Sequence, residues 1–248
     1  MIRSELLAGI PGFLFAMSSK TGGVSPPPME MNLSFHVGDA EENVRRNRAL
    51  FFGELGLREV DLAIPGQIHS TEVRLIRSPG HVEKCDGLVS DRSGVYLCVS
   101  VADCMPVVLV DRKKRTVAVL HAGWRGTAGG ITGRALDIMA AEFRTNRSDI
   151  AAYLGPSARA CCYEVGGDVA SRFPDGAVER RDGKPFVHLD RANRLQLLAG
   201  GVSEGQIEQS SFCTVCNGTD LHSYRRDRAR SGRMVAVAGF SPAPGRPA

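Results

Sequence analysis

No apolar run in the 248 residues approaches the roughly 20 that a bilayer-spanning helix needs, so no membrane segment is expected. Leu6 to Met17 is apolar behind Arg3, but Glu5 and the Pro11-Gly12 pair interrupt it, which argues against a secretory signal. Aromatic residues make up only 6%, with a single tryptophan, too few to build a stacking platform for nucleic acid. Charge of one sign is also lacking: 31 basic against 27 acidic residues leaves +4, short of a nucleic-acid footprint. Histidine is scarce, six in all and never as His-x-His, which leaves too few ligands for a centre of several copper ions. The seven cysteines show no disulfide spacing and read as reduced thiols of a cytoplasmic protein. One C-x-x-C exists, Cys213 and Cys216, with no second pair nearby in sequence to complete a four-cysteine knuckle. These two are read as auxiliary thiols. No repeat or linker divides the chain, so one domain over 1–248 is expected, with a frayed Pro-rich tail over 241–248.

With 43% hydrophobic and 23% charged residues, the chain has ample material for a core. Val95–Val101, Val107–Val110 and Val117–Leu120 are apolar and rich in β-branched residues, the pattern of buried strands. The charged run Asp111 to Arg115 joins the last two as a hairpin. Ile131, Ala135, Ile138, Met139 and Phe143 recur on one face of a helix, and further helices are predicted over Glu41–Leu55 and Asp190–Ala199. Strands supply the centre and helices cover them. The expected class is α+β, a sandwich of mixed sheets.

Four segments place reactive side chains where strands end or loops turn: Gln67-Ile68-His69-Ser70, Ala102-Asp103-Cys104-Met105-Pro106, His121-Ala122-Gly123-Trp124-Arg125-Gly126, and Ser223-Tyr224-Arg225-Arg226-Asp227. Pro106 is expected to end ladder pairing at its position. His and Cys are ligands zinc prefers, and three protein ligands with one open position describe a catalytic site. Spacing alone leaves a metal role and a structural role equally open for His69, Cys104 and His121.

These segments, together with Gly155-Pro156 and Cys162-Tyr163-Glu164-Val165-Gly166, Thr21-Gly22-Gly23-Val24-Ser25, Asn32-Leu33, His36-Val37-Gly38-Asp39 and Ser231-Gly232-Arg233-Met234, resemble the laccase-domain family. The likeness runs in order from about residue 13 to 240, and the His121–Gly126 block is its most specific part. The resemblance implies a single α+β sandwich with metal ligands at His69, Cys104 and His121. It also implies zinc-dependent phosphorolysis of adenosine, inosine and methylthioadenosine to free base and ribose 1-phosphate, with adenosine deamination. Members have also been described as copper-dependent polyphenol oxidoreductases and as peptidoglycan-editing enzymes, so copper and those activities are the alternatives. Two departures stand out: Ser70, where glycine is more common, and Ser157, where cysteine is common.

With purine nucleosides and phosphate as the implied partners, roles follow for individual residues. Zinc with three protein ligands lowers the pKa of a bound water to about 7. Asp103 is a candidate proton shuttle, or else an acceptor that orients a histidine. Arg125 lies in a glycine-rich turn before the Ile131 helix, where phosphate can bind, unless the glycines serve only close packing. Arg225 and Arg226 offer a guanidinium fork for phosphate, and the family motif puts Asn32 at the ribose. The basic run Arg225, Arg226, Arg228, Arg230 and Arg233 has only Tyr224 as an aromatic partner, which favours a substrate-facing loop over nucleic-acid binding.

Overall fold

Alternation along three central strands sets the layers. In a strand, successive side chains face opposite ways, so a strand buried on both faces reads as an unbroken apolar run. In the computed structural model, which describes residues 1–242, the strands are β1 (Phe13–Met17), β2 (Leu62–Pro65), β3 (Val73–Leu75), β4 (Gly80–Val82), β5 (Gly87–Ser90), β6 (Tyr96–Val101), β7 (Met105–Asp111), β8 (Thr116–Ala122), β9 (Ile150–Leu154), β10 (Val178–Arg181), β11 (Lys184–Val187), β12 (Ile207–Gln209) and β13 (Met234–Phe240). The α-helices are α1 (Glu5–Ala8), α2 (Glu41–Glu54), α3 (Trp124–Ala128), α4 (Ile131–Phe143), α5 (Gly167–Ala170), α6 (Leu189–Ala199) and α7 (Tyr224–Asp227).

Two mixed sheets pack face to face. One runs β1-β13-β6-β2-β4, the other β12-β9-β7-β8-β5-β3, and β10 with β11 forms a separate ribbon. On β7, Val108 and Val110 enter the core shared with Leu97 and Val99 of β6 and Ala236 and Ala238 of β13. Val107 and Leu109 face the other way, onto Ile131, Ala135, Leu136 and Met139 of α4 and Leu197 of α6. On the far side, Tyr96 and Cys98 of β6 pack with Phe51 and Phe52 of α2. The result is four layers: helix, sheet, sheet, helices. It is the α+β sandwich of mixed sheets that the sequence predicts.

Element ends move in instructive ways. The helix over Ile131–Phe143 coincides with α4, and the charged hairpin is present because β7 and β8 pair antiparallel from Met105↔Ala122 to Asp111↔Thr116. Asp111 stabilises the turn by accepting from the Lys113 and Lys114 amides. Pro106, expected to end pairing, instead sits inside β7 opposite His121. The β7–β8 ladder asks no donor of it there, because the His121 amide opposite donates to the Asp86 carbonyl instead; the Pro106 carbonyl accepts from Gly155 at 2.9 Å and its ring packs against that glycine. The apolar N-terminal stretch becomes α1 and β1, the latter paired along its length with β13. Of the predicted frayed tail, Ser241 is tied down by its amide to the Gly12 carbonyl. Residues 243–248 lie outside the described residues.

Candidate metal centre and adjoining cleft

Sheet pairing builds the site. Antiparallel β5 and β8 match Gly87 with Leu120, so Asp86, one residue earlier, falls beside His121, one residue later. The His121 amide donates to the Asp86 carbonyl at 2.7 Å, and the two side chains meet at 2.8 Å between Nδ1 and Oδ1. Asp86 also gathers the loop after β2. Its carboxylate accepts from the amides of Ile68, His69 and Ser70 at 3.2, 2.9 and 2.6 Å, and from the Ser70 hydroxyl at 2.7 Å. Gln67 locks the same loop to β6 through two 2.7 Å bonds with the Ser100 backbone. His69 is held at φ +59° and Asp103 at φ +84°, left-handed conformations that non-glycine residues adopt at a cost.

These constraints bring His69, Cys104 and His121 together, with one donor atom from each inside a span of 4.8 Å. The imidazole rings lie 4.8 Å apart, edge to face. Gly123 makes the approach possible: a Cβ there would sit 2.9 Å from the Cys104 sulfur and 3.1 Å from His69 Nδ1. His121 is buried, Cys104 half-buried and His69 exposed, so the cluster opens to solvent on the His69 side.

Charge is distributed to suit a cation. Burial pushes the Cys104 thiol up, but the adjoining His121 and His69 imidazoles overcome that and bring it down to about 6. Burial would lower His121, yet the Cys104 thiolate and the hydrogen bond that His121 donates to Asp86 raise it to about 9. Asp86, opposed by its own burial, is held at about 2 by the bonds from His121 and Ser70. Two imidazoles and a thiolate form a donor set that zinc accepts, and a carboxylate on the far nitrogen of His121 fixes that ring for ligation. Asp86 is the functional residue that reading the sequence missed. Ser70, the departure from the family glycine, turns out to donate to it.

Next to this cluster is a cleft of about 900 Å³, lined in part by Trp124, Tyr163, Val165, Phe186, Val215 and Arg225. The three donors are not in its lining; the connection runs through Trp124, which follows Gly123, and Tyr163. Burial and the charge of Cys104 push the Tyr163 phenol up to about 12, while Arg225 and Arg125 pull the other way. Arg225 lies over the Tyr163 ring at 4.8 Å and Arg125 over Trp124 at 4.2 Å. Among the described residues neither guanidinium has an ion-pair partner.

The remaining predicted residues are placed differently. Asp103 accepts from the Thr214 hydroxyl and the Arg225 amide, both at 2.6 Å, so it positions the arginine segment, and among the described residues it is hydrogen-bonded to no histidine. Arg226 is turned inward onto Asp227 and the carbonyls of Thr214, Val215 and Leu221. Asn32 is fully buried; its amide donates to Ser34 and Asp39 and accepts from Ser34 and Arg233. Gly126 and Gly129 serve close packing, since a Cβ there would press on Ser70 or Thr71 at 3.0 and 2.5 Å, whereas Gly130 has open space and serves a left-handed turn at φ +84°. Arg125 itself lies within α3 rather than in a turn. The expectation that Cys213 and Cys216 lack a second pair is wrong in space, since Cys161 and Cys162 lie against them.

Comparison with known proteins finds relatives over nearly the whole chain. The family model described as multi-copper polyphenol oxidoreductase laccase matches residues 14–241. A purine nucleoside phosphorylase of Bacteroides thetaiotaomicron is 32% identical over 95% of this chain and 94% of its own length. Adenosine deaminase RL5, from an unknown prokaryotic organism, is 35% identical over 82% of this chain and 84% of its own. The crystal structure of YlmD from Geobacillus stearothermophilus superposes with a TM-score of 0.90 at 32% identity, covering 94% of this chain and 93% of that one. Among the described residues no helix is long and apolar enough to cross a membrane. A match over residues 14–241, nearly the whole length, makes this chain a member of the multi-copper polyphenol oxidoreductase laccase family.

Proposed function

We propose that the chain is a zinc-dependent purine nucleoside enzyme, cleaving adenosine, inosine and methylthioadenosine with phosphate and also deaminating adenosine. The observation that carries this reading is the convergence of His69, Cys104 and His121 beside a cleft that offers both flat walls and unpaired guanidinium groups. The relatives named for purine nucleoside phosphorolysis and for adenosine deamination support the same choice of substrate.

His69, Cys104 and His121 would hold the ion, which supplies Lewis acidity and lowers the pKa of water to about 7. Asp86 keeps the proton of His121 on Nδ1 and so leaves Nε2 to ligate. Trp124 and Tyr163 present faces on which a purine can stack. Arg125 and Arg225, with no carboxylate partner among the described residues, suit the phosphate dianion and the charge that builds on it during transfer. Asp103 aims Arg225 through the backbone and is a positioning residue, not the proton carrier. Arg226 braces the same segment from below. Zinc is preferred over copper because six histidines with no His-x-His pair do not supply the ligands of a multi-ion oxidase.

Incubation of the pure protein with each of the three nucleosides, with and without phosphate, tests the reading. Release of free base only in the presence of phosphate, and inosine from adenosine without it, are the expected results. Inertness toward all three, with oxidation of phenols by the copper-loaded protein, would overturn it.

A further inference from the structure

A second cluster lies at the rim of the cleft and has no part in the proposal above. β9 and β12 run parallel and pair Leu154 with Gln209, so the loops that follow them leave from the same end of the sheet. The bridge between Ser157 and Cys213 continues that pairing into the loops. Two short cysteine motifs more than fifty residues apart are thereby set side by side: the adjacent pair Cys161-Cys162 and the C-x-x-C of Cys213 and Cys216. All four are unbridged, and their sulfurs fall within 4.8 Å of one another. Cys216 lies 3.3 Å from Cys162 and 3.6 Å from Cys161.

We propose that Cys161, Cys162, Cys213 and Cys216 form a second, closed zinc site that clamps the loop after β9 to the loop after β12. Four thiolates about 2.3 Å from a tetrahedral ion stand about 3.8 Å apart; the spacings of 3.3 and 3.6 Å fall a little short of that, and all four sulfurs stay within 4.8 Å. The donor set has no oxygen or imidazole, which disfavours calcium and magnesium and suits a structural zinc site. Burial and the neighbouring sulfurs push the Cys161 thiol far up and Cys162 up to about 11, so the four do not ionise together unaided. Cys213, though buried, is held below the usual thiol range by backbone hydrogen bonds from Arg159, Cys216 and Val215 and a bond from Cys161. Backbone bonds to sulfur of this kind stabilise a thiolate for ligation.

The clamp has consequences for the cleft. Tyr163 directly follows Cys162. Thr214, between Cys213 and Cys216, holds Asp103, and Asp103 holds the Arg225 amide. Loss of the ion therefore loosens the tyrosine wall and the arginine together, while the His–Cys–His cluster, anchored through Asp86, remains.

The full chain is purified anaerobically and its zinc content measured. The site predicts two zinc ions per chain in the unmodified protein, one in the Cys213→Ser/Cys216→Ser variant and one in the His69→Ala/His121→Ala variant. Because the cysteine variant can fail for reasons of folding, a second measurement uses intact cysteines. Cobalt(II) bound to the His69→Ala/His121→Ala chain should show strong sulfur-to-cobalt charge transfer and tetrahedral d–d bands. One zinc in the unmodified protein and none in the histidine variant, or cobalt spectra without tetrahedral thiolate bands, would overturn the proposal. So would disulfides among these four cysteines in the anaerobic protein, which would mark a redox pair instead.

Discussion

Replacing Asp86 with asparagine keeps the size of the side chain and removes one charge from a carboxylate that accepts five hydrogen bonds. An amide accepts at only one of its two ends, and either orientation has a definite cost. With the NH₂ at the Oδ1 position, the His69 amide and His121 Nδ1–H face a donor; with it at Oδ2, the Ile68 and Ser70 amides do. Two stranded donors in a buried site cost about 1–3 kcal/mol each, so Asp86→Asn should destabilise the metal-free protein by about 2–6 kcal/mol. If His121 relieves its share by switching tautomer, the proton moves to Nε2 and the ring is lost as a ligand. Zinc affinity should then fall about 10–100-fold. Urea unfolding of the chelated protein reads the first quantity, and competition with a chromogenic chelator reads the second. Asp86→Asn with an unfolding free energy within about 0.5 kcal/mol of the parent, and unaltered zinc affinity, would refute the reasoning.

Further expectations come from the same geometry. Gly123→Ala forces a methyl against the Cys104 sulfur and His69 Nδ1, at a position whose φ of −72° suits any residue, so zinc affinity should drop at least about tenfold with little change in thermal midpoint. Arg125→Ala should slow phosphate-dependent inosine cleavage about a hundredfold, the usual scale for losing a donor to developing charge, and leave zinc content and adenosine deamination nearly intact; equal loss of both activities would shift the residue to substrate positioning. His222 is buried with neither ring nitrogen hydrogen-bonded among the described residues, and its burial plus the charges of Lys20 and Arg233 hold it down to about 3. The unfolded chain takes up that proton near pH 6.5 and the folded chain only near 3, so stability is complete above about pH 6.5 and falls with acidification, at up to about 1.4 kcal/mol per pH unit. His222→Leu should flatten that acid limb in urea titrations between pH 6.5 and 4; an unchanged slope would contradict the assignment.

What could be read from sequence depended on whether the signal was local. Periodicity located α4, and the β-branched runs located β6, β7 and β8, because burial on both faces leaves an uninterrupted apolar stretch. His69, Cys104 and His121 were legible as reactive types at strand ends inside a distinctive family pattern. Asp86 was not. Flanked by Cys85 and Gly87, it carries no motif, and its importance arises only when β5 pairs with β8. The four-cysteine cluster escaped for the same reason, since its two halves meet through the parallel pairing of β9 with β12. Asn32 and Arg226 show the converse: family motifs suggest substrate contacts for both, while their side chains here are hydrogen-bonded to the loops that carry the site. Pro106 was misread because a missing amide hydrogen matters only where the ladder needs a donor.

The most direct test of the account is phosphorolysis as a function of the metal at His69, Cys104 and His121. Inosine and phosphate are supplied to the protein after chelation, then after titration with zinc and, separately, with copper, and hypoxanthine release is followed alongside bound metal. The account predicts that release vanishes on chelation, returns with zinc in step with occupancy of this cluster, and does not return in Cys104→Ser at any zinc level. Phosphate-dependent release that persists with the cluster empty, or that only copper restores, would contradict it.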